Sequence, residues 1–224
     1  MNDPSSLPAY GGPGWKPRDT QTRDELGAIW APCGIDSEWR PLQSVLLHRP
    51  GGELEAVLEN PGEHLMLEEP RAEAMAGEHD GLAHLYRSRG VTVNYVQPPT
   101  LPPPNQLFVA DLFAMTPEGV ILGRPASRVR AGEERWVAQA LSELGVPILR
   151  SVRGSGTFEG ADLMWLGPDA ALLAQGLRTN SQGVEQVLSV LKELGVDSAV
   201  THLPPGTMHL MGQLRIVDRD LAIA

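Results

Sequence analysis

Cysteine is nearly missing from this chain: Cys33 is the single one among 224 residues. A lone thiol excludes an intrachain disulfide and any CxxC zinc or iron–sulfur site, and it fits a reducing compartment. Positive charge is also short. Eighteen Lys and Arg stand against 28 Asp and Glu, a net charge of −10, which argues against a surface that wraps nucleic acid or lies on an anionic membrane. No uncharged apolar run approaches the roughly 20 residues that span a bilayer. The opening residues Met1-Asn2-Asp3-Pro4 have neither the basic start nor the apolar stretch of a signal peptide. The expectation is a cytoplasmic protein without nucleic-acid or membrane partners. No dinucleotide fingerprint, P-loop or G-x-S-x-G stands in a strand-to-helix context, so no cofactor is expected. The histidines give no metal spacing: His79 and His84 are five apart and do not share a helix face, and His48, His64 and His202 lack ligand-spaced neighbours. No metal site is predicted.

Glycine and proline, in contrast, are abundant, at 24 and 20 residues. Together with 42% hydrophobic residues, this describes a globular chain of many short elements joined by tight turns. Those elements repeat. Gly-Val closes a helix-like stretch three times, at Gly90-Val91, Gly145-Val146 and Gly195-Val196, about 50 to 55 residues apart. Ahead of Gly145, Trp136, Val137, Ala140, Leu141 and Leu144 form one helical stripe. Ahead of Gly195, Val184, Val187, Leu188, Leu191 and Leu194 form another. Glycine tolerates the left-handed conformation just past a helix C-terminus, so each Gly-Val marks helix end and strand start.

After each Gly-Val come a short strand, a Gly/Pro-rich loop and a hairpin of two apolar runs. The hairpins are expected at Leu107–Met115 with Gly119–Gly123, at Asp162–Leu166 with Ala170–Ala174, and at Leu210–Val217 with Leu221–Ala224. The fold class predicted is therefore α/β, built from repeated strand-strand-helix-strand units. Residues 1–41 read as an irregular N-terminal segment on the surface, and 42–224 as the repeat domain. By the repeat's own logic the last unit lacks a helix and a closing strand, so the expectation is an incomplete ring, with strand edges that favour self-association into a homo-oligomer.

The repeat also orders the polar residues. Glu159 and His209 each lie fourteen residues after a Gly-Val glycine. Equivalent loops of a pseudo-symmetric ring converge near its axis, where an acid and an imidazole could meet. Asp111 is the carboxylate inside the preceding apolar run. Arg124 and Arg178 each follow a hairpin, with Arg128 and Arg130 close to the first. Cys33 sits in the irregular segment with no basic neighbour to activate it and reads as inert.

These residues resemble the guanidino-group modifying superfamily of dimethylarginine dimethylaminohydrolases, arginine deiminases and amidinotransferases. The likeness runs from about Leu42 onward through Val45-Leu-Leu-His-Arg-Pro-Gly51, Glu78-His-Asp80, Phe108-Val-Ala-Asp111, Gly123-Arg-Pro125, Glu159-Gly-Ala-Asp162, Arg178-Thr-Asn180 and Met208-His-Leu210. It implies a five-unit α/β propeller of the pentein type, of which this chain would hold about three and a half units. It implies a small guanidino substrate, attacked by a cysteine thiolate after carboxylates have oriented the planar cation. His209 would then be the acid/base and Glu159 the carboxylate beside it. Asp111 and Asp162 would contact substrate, and Arg178 with either Arg128 or Arg130 would hold the substrate carboxylate. The departures are informative. Ala110 and Met211 stand where deiminases and amidinotransferases carry Arg and Asp, which implies a less polar pocket and an N-substituted guanidine such as a methylated arginine. The family's nucleophilic cysteine falls near its C-terminus, past Ala224. The leading expectation is a C–N hydrolase releasing citrulline and an amine. An amidinotransferase is the alternative, and a non-catalytic guanidino-binding relative is the alternative of another class.

Overall fold

The computed structural model describes residues 3–224. Within the N-terminal segment a short helix, α1 (Thr22–Glu25), precedes strand β1 (Ser44–Leu47), helix α2 (Ala72–Ser88) and strand β2 (Thr92–Tyr95). Two three-stranded units follow. The first runs β3 (Phe113–Thr116), β4 (Gly119–Leu122), α3 (Glu133–Glu143), β5 (Ile148–Ser151). The second runs β6 (Leu163–Gly167), β7 (Ala170–Gln175), α4 (Ser181–Glu193), β8 (Asp197–His202). A final hairpin of β9 (Arg215–Asp218) and β10 (Leu221–Ile223) closes the order.

Pairing is the same in both complete units: an antiparallel hairpin, β3–β4 or β6–β7, whose second strand pairs in parallel with the strand after the helix. The parallel pair β1–β2 and the antiparallel pair β9–β10 are the corresponding halves of a unit. The predicted strand-strand-helix-strand repeat is therefore present. Its punctuation is the one expected, since Gly90, Gly145 and Gly195 have φ of 78°, 74° and 72°, a conformation that favours glycine.

The helices pack by the stripes read above. Val137, Ala140 and Leu141 of α3 close over Val120 and Leu122 of β4, and Val184, Val187 and Leu191 of α4 close over Leu173 of β7. Adjacent units are stitched together: the Trp165 indole Nε1 donates to the Met115 carbonyl at 3.0 Å, and Arg124 and Phe158 exchange backbone hydrogen bonds. The N-terminal segment crosses the hairpin-turn side. Ala31 N–H donates to Gly145 O at 2.9 Å and Ile35 N–H to Thr116 O at 3.3 Å, and the Trp165 amide donates to the Glu38 carboxylate at 2.9 Å.

Two of the expected apolar runs begin differently. Residues ahead of β3 and β9 form 3-10 turns, Val109–Asp111 and Leu210–Gly212, and a third, Gly160–Asp162, precedes β6. A carboxylate or carbonyl is available there to take amide hydrogens out of the ladder, so the chain turns before it extends. This also settles Met211. Alternation on a strand would send Leu210 and Met211 to opposite faces, but on a 3-10 turn both pack against Met164 and Ala174. Among the described residues no helix is long and apolar enough to cross a membrane.

Candidate active site

The three 3-10 turns meet at one end of the units and carry the site. Their cap positions are Phe108, Glu159 and His209, and the positions three further on are Asp111, Asp162 and Gly212. The second turn can approach the first because of Gly160: a Cβ there would lie 2.0 Å from the Phe113 carbonyl oxygen, so no side chain fits. Its neighbour Ala161 is buried and accommodates its methyl.

Glu159 is wholly buried and receives the most contacts. His209 Nε2 lies 2.7 Å from its Oε2, Arg178 Nη1 lies 3.3 Å from both oxygens, Arg130 Nη1 donates at 3.4 Å, and the Ala126 amide donates to Oε1 at 3.1 Å. Burial alone would push this carboxyl up, but the His209 bond and the two guanidiniums outweigh it and hold Glu159 below the usual carboxylate range. His209 responds in the opposite sense. Burial disfavours the imidazolium, yet the Glu159 bond and the charge of Asp111, whose Oδ1 is 3.8 Å from Nε2, raise it above the ordinary histidine value. An ionised carboxylate thus orients and charges an imidazole, the arrangement a general acid needs.

Asp111 and Asp162 occupy the same place in successive turns, but only one faces the cluster. Asp111 Oδ2 accepts from Arg130 Nη1 at 2.6 Å, while its other oxygen looks toward His209. Asp162 is wholly buried, with Oδ2 taking the Thr179 hydroxyl at 2.6 Å and Oδ1 the Leu210 amide at 3.0 Å. The expected substrate contact of Asp162 is therefore corrected: both of its oxygens face protein donors, and it anchors the turn next to His209. Burial pushes its carboxyl up despite those bonds.

The arginines divide cleanly. Arg130 and Arg178 each stand two residues before the cap of their unit's helix, Gly132 and Asn180, so they are the equivalent pair. The expected equivalence of Arg124 with Arg178 fails, since Arg124 donates to Gly156 O at 3.1 Å, outside the cluster. Arg128 is exposed and makes no contact with the cluster. Arg130 is 3% exposed and gives donors to Asp111, Glu159, Glu133 and the Phe108 carbonyl. Taking up a substrate carboxylate would require it to exchange one of these. Arg178 contacts Glu159 through Nη1, while Nε and Nη2 have no acceptor among the described residues.

Sequence reasoning missed Thr179, Gln106 and above all Glu133, which is wholly buried at the start of α3 with Arg130 Nε and Nη2 at 3.0 and 2.8 Å from its Oε2. The Arg-x-x-Glu spacing was the available signal. Asp111, Glu159 and His209 could together present three atoms to a metal ion. Both carboxylates are already engaged, however: Asp111 Oδ2 takes Arg130, and the Glu159 oxygens take Arg130, Arg178, His209 and the Ala126 amide. Cys33 is far from this centre. It packs by the α3 core and next to the β3–β4 turn, at the other end of a four-residue strand from Asp111, roughly 13 Å of strand length away. Burial pushes its thiol up, toward the unreactive form.

Repeated units of this topology with an acid–imidazole pair at the converging turns define the pentein fold and the guanidino-group modifying class. The chain belongs to the arginine deiminase family, whose model matches residues 99–223. It is 27% identical to the N(G),N(G)-dimethylarginine dimethylaminohydrolase of Pseudomonas aeruginosa over 128 residues, 55% of this chain and 50% of that protein. It is 41% identical to an arginine deiminase of Rhodococcus erythropolis over 122 residues, 54% of this chain and 27% of that protein. The chain spans about half the length of the curated dimethylaminohydrolases it matches. Among solved structures, a Pseudomonas aeruginosa DDAH mutant complexed with citrulline superposes with a TM-score of 0.67 at 22% identity, covering 78% of this chain and 66% of that one. An amidinotransferase of the saxitoxin pathway from Microseira wollei gives 0.62 at 18% identity, covering 82% and 66%. These likenesses establish the fold.

Proposed function

We propose that the protein acts on the C–N bond of a guanidino compound by cysteine-dependent hydrolysis, and that this chain supplies the binding groups and the acid/base. The observation that carries the reading is the 2.7 Å contact of His209 with an ionised, buried Glu159, flanked by Asp111. A guanidinium is a planar, resonance-stabilised cation whose nitrogens leave poorly. Asp111, with one oxygen turned toward His209, offers a charge-assisted contact to the cation. His209, charged by Glu159, delivers a proton to the departing amine and afterwards takes one from water. Arg178, with two nitrogens free of acceptors among the described residues, holds a substrate carboxylate. The substrate class is an amino acid bearing an N-substituted guanidine, such as a methylated arginine. Ala110 supports this choice, being exposed at the turn where deiminases carry arginine. Met211 no longer does, because it is half-buried against the Met164, Ala174 and Leu210 cluster.

The thiol remains the missing reactant. Cys33 lies at the wrong end of β3 and is held in its unreactive form, so a second reading has this observation behind it: by themselves these residues bind without turning over. Calorimetric titration of the 224-residue chain with L-citrulline, L-arginine and dimethylarginine tests both. Binding that is weakened in His209→Ala and Asp111→Asn, with no citrulline formed from dimethylarginine, is the expected result. Absence of binding to all three compounds would refute the guanidino site.

A further inference from the structure

Arg130 is surrounded by three carboxylates, and the third has no part in the chemistry just described. Glu133 is the first residue of α3 and fully buried. Its Oε2 takes both Nε and Nη2 of Arg130, two charge-assisted contacts that hold one edge of the guanidinium. With that edge held and Nη2 also reaching the Phe108 carbonyl at 3.3 Å, Arg130 has Nη1 left for Asp111 at 2.6 Å and Glu159 at 3.4 Å. The same nitrogen therefore joins the carboxylates on either side of His209. Among the described residues the Arg178 guanidinium has no comparable anchor and reaches only Glu159.

The geometry points to Glu133 as a positioning residue that, through Arg130, sets the spacing and charge of the Asp111–Glu159–His209 centre. Its purpose rests on the function proposed above, but its action does not need substrate. The groups facing Glu133 are Arg130, Asp111 and Glu159, with Gln106 of the Pro104–Leu107 turn donating to its backbone carbonyl at 3.4 Å. Glu133 Oε1 and Gln106 Oε1 are both buried without a hydrogen-bond partner among the described residues. A proton on Glu133 would remove one such unpaired acceptor. In agreement, burial, opposed by Arg130, pushes Glu133 up to about 7. The charge on Arg130's anchor therefore changes as pH passes through about 7.

The test reads His209 by NMR titration of its ring in the 224-residue chain. In Glu133→Gln, which keeps the shape and removes the charge, the His209 midpoint should fall by about half a unit, and Glu133→Asp should restore part of the shift. A folded Glu133→Gln chain with an unchanged His209 midpoint overturns the proposal. If that variant does not fold, the native chain decides. There the His209 curve must show a second inflection where the Glu133 carboxyl carbon titrates, and a single-step curve is equally fatal. Neither reading uses a ligand. Coupled titration in a chain that binds no guanidino compound would sink the proposed function alone, and binding without coupling would sink the role of Glu133 alone.

Discussion

The turns that open the two complete units, Phe108-Val-Ala-Asp111 and Glu159-Gly-Ala-Asp162, both end in Ala-Asp and use their aspartates in opposite ways. Asp111 keeps one oxygen toward His209 and gives the other to a guanidinium. Asp162 is closed off, holding the Thr179 hydroxyl and the amide of the residue after His209. The backbone positions are equivalent, so the repeat does not make the difference. The neighbours do: an arginine faces the first aspartate, while a threonine and a free turn amide face the second. A repeat distributes residue types to equivalent places, and local charge and donor supply then decide whether each one builds the site or serves it.

The largest effect should come from Asp162. Its replacement by alanine strands a buried amide and a buried hydroxyl and should cost about 2–4 kcal/mol in urea unfolding, against roughly 1 kcal/mol for Asp111→Ala. Equal losses for the two would break the comparison.

Next in size is the dependence of stability on pH. Glu133 rises from 4.5 to about 7 in the folded chain, so its contribution is complete below pH 4.5 and is lost as pH rises through about 7. His209, also raised, acts in the same direction, losing its contribution as pH climbs past its folded value. Glu159, lowered, contributes above pH 4.5 and loses that only on acidification. Stability should therefore be greatest in weak acid and fall as pH rises from about 4.5 to about 7, by an amount on the order of 1–3 kcal/mol. Urea midpoints that do not change across that range would contradict the raised pKa of the buried Glu133 carboxyl.

Affinity separates the aspartates in the other order. Asp111→Asn should weaken arginine or citrulline binding about 10- to 100-fold by calorimetry, while a folded Asp162→Asn chain should bind within a few-fold of the native one. The smallest effect concerns the arginines. Arg178→Ala should weaken arginine binding about tenfold and leave methylguanidine, which has no carboxylate, within twofold, and Arg128→Ala should change neither. Equal losses for both ligands would show that Arg178 acts through Glu159 instead of on a carboxylate.

Much of this was legible in the chain. The stripes ending at Leu144 and Leu194, the glycines at 90, 145 and 195, and the apolar runs after them follow from local rules of helix period and capping, and the observed units match them. Glu159 and His209 could be paired because they hold the same offset from those glycines. The runs around Asp111 and Leu210 were less legible, because apolar letters alone do not distinguish a strand from a 3-10 turn that precedes one.

By itself, then, the sequence determined the unit, its period, and which acid and which imidazole share a loop position, because helix caps and apolar spacing are properties of neighbouring residues. Only the tertiary structure decided that Arg130 and not Arg128 enters the centre, that Asp162 supports and Asp111 faces it, that Met211 packs against the Met164, Ala174 and Leu210 cluster, and that Glu133 anchors the whole. Those outcomes depend on how several charges from distant segments balance in one buried volume. Coulomb energy and desolvation in such a volume are set by distances across the fold, which no local pattern of residues contains.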